Sequence, residues 1–137
     1  MAKILIVDDD PDIGEAMRLV LRAAGHETQE ARTSTEGLAK VKSFAPDLVI
    51  LDVMMESDTA GFHVAYQVHS QDPSSPYYAF RKTPILMLTA VGKEKGMAFS
   101  PESDAEFLPV DDFVEKPVKP EVLIKKVGKL LQKARES

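Results

Sequence analysis

The sequence contains no cysteine. Disulfides, thiolate metal sites and cysteine nucleophiles are therefore excluded, and a reducing compartment is permitted. It also lacks a long hydrophobic run. No apolar stretch approaches the roughly 18 residues that a membrane-spanning helix needs. In the opening MAKILIVDDD the apolar run is only Ile4 to Val7 and ends in acids, which does not fit a secretion signal. Excess positive charge is missing too. Lys and Arg number 17 against 22 Asp and Glu, a net charge of −5, so bulk charge argues against a nucleic-acid backbone as partner. What is present is 137 residues at 44% hydrophobic content, enough for one core. The expectation is a single domain over residues 1–137, cytoplasmic, with no membrane partner and no DNA-binding module in this chain.

The pattern of elements is alternating. Ile4 to Val7 is a short β-branched run, read as a buried strand. Asp10 and Pro11 then open a helix, as a capping carboxylate followed by proline at the first helical position. Ile13, Ala16, Met17, Val20, Leu21 and Ala24 repeat at helical spacing, and Gly25 closes the helix. Thr28 to Ala31 is a second strand. Thr33 and Glu36 fit a capping box for a helix through Phe44, whose apolar face (Leu38, Val41, Ala45) is thin. Asp47 to Leu51 is the next strand, continuously apolar as in a parallel strand covered on both faces. A helix follows over Phe62 to His69, with Ala65 and Val68 inward. Gln71 to Lys82, with its Pro and Ser cluster, reads as a loop. Pro84 to Leu88 and Asp112 to Glu115 are the fourth and fifth strands. Pro120 opens a last helix with Leu123, Ile124, Val127, Leu130, Leu131 and Ala134 on one stripe. This alternation predicts an α/β fold with right-handed crossovers and a parallel sheet.

The chemistry-bearing residues stand at strand ends. Asp8 and Asp9 follow the first strand, Asp52 the third, Thr89 the fourth and Lys116 the fifth. In an open parallel sheet, ligands bind in the crevice beyond the carboxyl ends of the strands. Distant residues would therefore converge there. Carboxylates brought together repel one another and need either a cation or a proton. Mg²⁺ is the natural cation, since it prefers oxygen ligands and keeps several waters. Lys116 adds an ammonium and Thr89 a hydroxyl donor. A phosphoryl group suits such a pocket, because its transfer needs mainly positioning and charge neutralisation. An aspartate can itself be the nucleophile and form an acyl phosphate.

The segments KILIVDDDPD, PDLVILDVMM, TPILMLTA and DDFVEKPV resemble the signature stretches of the response-regulator receiver domains of two-component signalling. The resemblance covers roughly residues 2–134. It implies a flavodoxin-like, doubly wound five-stranded parallel sheet in the order 2-1-3-4-5. It implies that Asp52 is the phosphoacceptor, that Asp9 binds Mg²⁺ directly, that Asp8 acts through water, and that the backbone carbonyl of Met54 is a further ligand. It implies that Thr89 and Lys116 contact the phosphoryl oxygens and that Thr89 and Phe113 form the conformational switch. Ordinary core packing is the competing reading of Phe113. Ala90 matches the small residue beside the site, and Lys116–Pro117 matches a peptide bond commonly cis in the family. The implied partners are a histidine kinase or phosphotransfer protein and an unidentified output partner.

Other readings are weaker. A calcium loop at Asp8, Asp10 and Asp12 fails, because Ile13 and Leu19 stand where glycine and glutamate are needed. A Mg²⁺-dependent phosphatase of related layout and a degenerate receiver serving only as an interaction module remain as alternatives. His26, His63 and His69 are expected to be structural or solvated. The chain also departs from the family. Glu56 stands where proline is usual, Gly61 comes one residue late, and the Gln71 to Lys82 loop is extended. Val91 to Asp111 carries Gly92, Gly96, Pro101 and Pro109 where the family places its fourth helix, so an irregular or shortened helix is expected there.

Overall fold

The computed structural model describes residues 2–52, 60–89 and 110–136. Met54, Glu56, Ala90 and all of the Val91 to Asp111 stretch except Val110 and Asp111 lie outside the described residues. The strands are β1 (Lys3–Val7), β2 (Glu27–Ala31), β3 (Leu48–Asp52), β4 (Ile85–Thr89) and β5 (Asp112–Glu115). They form one sheet in the order β2-β1-β3-β4-β5, and every neighbouring pair is parallel. The described α-helices are α1 (Pro11–Ala23), α2 (Ser34–Phe44), α3 (Ala60–Val68) and the C-terminal α4 (Pro120–Glu136).

Side chains alternate across a strand, so each central strand feeds two cores. Ile4, Ile6, Leu48, Ile50, Leu86 and Leu88 face one layer, together with Met17 and Leu21 of α1 and Leu123 and Val127 of α4. Leu5, Val7, Val49, Leu51, Ile85 and Met87 face the other, with Val41 of α2 and Val64 and Val68 of α3. Burial on both faces is why these strands read as continuous apolar runs.

Local signals act where expected. Asp10 caps α1 by accepting a hydrogen bond from the Asp12 amide at 2.9 Å, a contact worth about 1 kcal/mol. Gly25, at φ 94°, takes the left-handed conformation that ends the helix. Thr33 accepts from the Glu36 amide, while Glu36 accepts from the Arg32 amide. Lys116–Pro117 is cis.

Some expectations need correction. Ala16 and Ala24 are exposed, and so is Ile124, whose position falls to the side of the buried Leu123–Val127–Leu130–Leu131 stripe. Ala45 does not extend the face of α2; it is the left-handed cap at φ 52°, and buried Phe44 fills the role instead. β3 and β4 each run one residue further than read, so Asp52 and Thr89 are the last residues of their strands.

The Gln71 to Lys82 loop contains a short 3-10 turn at Tyr78–Phe80. Tyr77 and Phe80 pack against the second core, and the His69 ring nitrogen Nε2 lies 2.6 Å from the Thr83 carbonyl oxygen. His26 is structural as well, since its Nδ1 accepts from the Ala2 amide, whereas His63 is exposed.

Candidate functional site

The register of the sheet assembles the site. Val7 pairs with Leu51, so Asp8 follows β1 at the level of Asp52. Asp52 in turn pairs with Leu88, and Leu88 with Val114. Thr89 is therefore one step beyond that level and Lys116 two steps beyond it. The lysine's flexible stem reaches back across the gap. Its Nζ lies 3.2 Å from Asp52 Oδ1 and 3.7 Å from Asp8 Oδ2. The sheet reverses its winding between β1 and β3, and the acids stand at the carboxyl end of that switch point.

Asp8, Asp9 and Asp52 each offer a carboxylate oxygen, and these oxygens lie within 4.8 Å of one another. Asp8 and Asp52 are buried and Asp9 is exposed. Asp8 is held by its own loop, with Oδ1 accepting from the Asp10 amide at 2.9 Å. Its other oxygen, Oδ2, is buried without a hydrogen-bond donor among the described residues. Burial pushes the Asp8 carboxyl up to about 6; the Asp52 charge adds to the rise, while the Asp10 amide and Lys116 oppose it.

A buried carboxylate oxygen that accepts no hydrogen bond among the described residues, with two further carboxylates in reach, fits a hard cation that takes oxygen ligands. The group could thus hold a metal ion. Thr89 Oγ1 is likewise buried without a hydrogen-bond partner among the described residues. Next to it, the Lys116 amide donates to the Thr89 carbonyl at 2.7 Å, which fixes the start of the loop carrying the lysine.

The other expected residues are placed as follows. Phe113 is half-buried, pairs with Met87 in the sheet and packs against the second core. Lys126 of α4 donates to the Phe113 carbonyl and to Asp112 Oδ1, tying β5 to the last helix. The Met54 carbonyl and Ala90 lie outside the described residues. Sequence reading missed the depth of Asp8, which is buried and in contact with Lys116, whereas Asp9 is exposed. It also missed an apolar groove between α1 and the start of α4 that borders Lys116. The signal was there in Ile13, Met17 and Val20 on one side and Val118 on the other.

Comparison with known proteins agrees with this geometry. The family model "Response regulator receiver domain" matches residues 4–128. The DNA-binding response regulator MtrA of Mycolicibacterium smegmatis is 33% identical over 131 residues, covering 96% of this chain and 51% of that protein. The transcriptional regulatory protein ResD of Bacillus subtilis is 32% identical over 135 residues, covering 98% of this chain and 50% of that protein. The chain thus spans about half the length of these curated relatives. Among solved structures, a putative response regulator from Chloroflexus aurantiacus superposes with a TM-score of 0.77 at 32% identity, covering 96% of this chain and 98% of that one. No helix among the described residues is long and apolar enough to cross a membrane. With its parallel sheet, its acids at the β1–β3 switch point and its matched sequence, this chain belongs to the response regulator receiver domain family.

Proposed function

We propose that Asp52 accepts a phosphoryl group and that the resulting acyl phosphate switches the domain between two states. The observation that carries this reading is the contact of Lys116 Nζ with Asp52 Oδ1 at 3.2 Å inside a cluster of acids. Asp52 is the nucleophile: one carboxylate oxygen forms the bond to phosphorus as the donor's bond breaks. Lys116 is positioned to neutralise charge on the phosphoryl oxygens, and the buried Thr89 hydroxyl is the donor for one of them. Asp9 and Asp52, with the Met54 carbonyl, would hold Mg²⁺, and Asp8 would act on it through water. A bound Mg²⁺ supplies positive charge that offsets the carboxylates and the incoming phosphate.

The donor is a phosphohistidine on a sensor kinase or phosphotransfer protein, and the chain catalyses only its own phosphorylation and dephosphorylation. A ligand shifts a two-state protein only through differential affinity for the two states. New phosphoryl contacts at Thr89 and Lys116 would supply that difference, with Phe113 relaying it to an output partner.

The test is acetyl phosphate with Mg²⁺, read by intact mass. One phosphoryl group per chain on the wild type and none on Asp52→Asn is expected. Equal labelling of both proteins, or catalytic turnover of added phosphomonoesters, would overturn the reading.

A further inference from the structure

The segment between the end of α3 at Val68 and the start of β4 at Ile85 is far longer than the about 2–6 residues usual for such a connection. It is nevertheless built. The amides of Ser75, Tyr78, Phe80, Arg81 and Thr83 donate to the carbonyls of Asp72, Ser75, Tyr77, Tyr78 and Phe80 in turn, at 2.8–3.2 Å. Tyr77 and Phe80 anchor the segment on the second core. A connection of this length is usually either disordered or functional, and this one is ordered. What it displays is cations on rings. The Arg81 guanidinium carbon stands 3.9 Å from the centre of the Tyr78 ring, and Nη1 donates to the Tyr78 carbonyl at 3.0 Å. On the preceding ring, Lys42 Nζ of α2 stands 5.5 Å from the centre of Tyr77. Lys42 and Lys82 are exposed. Among the described residues, none of Lys42, Arg81 and Lys82 makes an ion pair. The acids at this end of the sheet are engaged with backbone instead. Asp47 Oδ2 accepts from the Lys3 amide, Asp72 Oδ1 from Ser74 and Asp111 Oδ2 from Ile85.

We propose that this turn is a docking surface for an acidic segment of a partner protein, with Arg81 as its anchor. A guanidinium tied at one nitrogen and backed by a ring keeps its remaining N–H donors in a planar fork. That fork matches a carboxylate through two charge-assisted hydrogen bonds. An arginine held this way has little side-chain freedom left to lose on binding. Lys42 and Lys82 add positive charge around it. A single-stranded nucleic acid is the poorer fit, because it binds by stacking bases on aromatic faces, and each of these rings already carries a cation on one face. The surface lies where β4 begins, whereas Asp8, Asp9 and Asp52 stand at the carboxyl ends of their strands. A segment docked on the turn therefore leaves the acid cluster uncovered, and the turn acts as a tether separate from the chemistry at Asp52.

The experiment titrates the full chain with hexaglutamate at low salt and without divalent cation, read by amide NMR and by the anisotropy of a labelled peptide. Shifts are expected at Lys42, Tyr77, Tyr78, Arg81 and Lys82 and not at Asp9 or Lys116, with binding that weakens as salt is raised. Arg81→Gln should bind about tenfold more weakly, the loss of one charge-assisted pair. Arg81→Lys keeps the charge, loses the fork and should recover only part of that affinity. Unmoved amide signals in β1 and β3 report that a variant is folded. Should Arg81→Gln fail to fold, Lys42→Gln on the exposed side of α2 carries the test, with a several-fold loss expected. No binding, shifts centred on Lys116, or wild-type affinity in Arg81→Gln or Arg81→Lys overturns the proposal. Tighter binding of single-stranded DNA than of hexaglutamate at these residues overturns it as well and assigns the surface to nucleic acid.

Discussion

The amine of Lys116 reaches Asp52 Oδ1 at 3.2 Å from a position two residues further along the sheet, just past the end of β5. That reach sets a cation against the cluster of Asp8, Asp9 and Asp52. Lys116→Met keeps the apolar stem and removes the charge. Phosphorylation of Asp52 by acetyl phosphate should fall about 10²-fold, the usual loss when one preorganised charge-stabilising donor is removed. Mg²⁺ affinity, measured by calorimetry, should not fall, because a cation competing for the same carboxylates has gone. An unchanged labelling rate would remove Lys116 from the mechanism.

The buried Asp8 carboxyl makes stability depend on pH. Its folded pKa of about 6 lies above the ordinary 3.8, so folding favours the protonated form. In the absence of divalent cation, the contribution of this group is full below about pH 4 and is lost as pH rises through about 6. The full loss is on the order of 3 kcal/mol. Asp8→Asn should therefore unfold at higher urea than wild type at pH 8, and the gap should close towards pH 4. Mg²⁺ should restore stability to the wild type by mass action and do less for the variant. Urea melts at the two pH values with the same offset would contradict this account.

Much of the fold was legible because its signals are local. Continuous apolar runs marked β1, β3 and β4, and Asp10, Thr33 and Gly25 marked helix ends. The cluster was legible because register carries the strand ends to within two steps of one another, so Asp8, Asp52 and Lys116 come together once the strands are parallel. Depth was not legible. Nothing in three consecutive aspartates says which one turns inward, and Lys116, which the buried Asp8 contacts, is more than a hundred residues away in the chain. The order in Gln71 to Lys82 was hidden for the same reason. Its Pro and Ser composition reads as loop, while the contacts that hold it, Tyr77 and Phe80 on the second core, are long-range.

The lifetime of the acyl phosphate follows from residues that can or cannot orient water. Met54 and Val91, two positions after Asp52 and Thr89, are both apolar. Neither offers a hydrogen-bond acceptor strong enough to position an attacking water. The phosphorylated protein, freed of donor and held in Mg²⁺, should lose its label over many minutes or longer. A half-life of seconds by intact mass would mean that another group activates water. Met54→Glu should shorten the lifetime.

The glycines separate packing from propensity. Gly37 lies in α2 against β1: an added Cβ would meet Val7 Cγ1 at 3.0 Å and Cγ2 at 3.2 Å. Val7 is fully buried and immediately precedes Asp8, so it cannot yield without moving the strand end. Gly37→Ala should thus cost about 1–3 kcal/mol through overpacking and should also slow labelling of Asp52, because the β1 end shifts. Gly128 lies in α4, where an added Cβ meets nothing within 4 Å. Gly128→Ala should stabilise by about 0.5–1 kcal/mol through helix propensity alone and leave labelling unchanged. Urea midpoints moving in opposite directions, with a kinetic effect in Gly37→Ala only, is the expected result. A stabilised Gly37→Ala would mean that α2 can lift from β1 without disturbing the carboxylates.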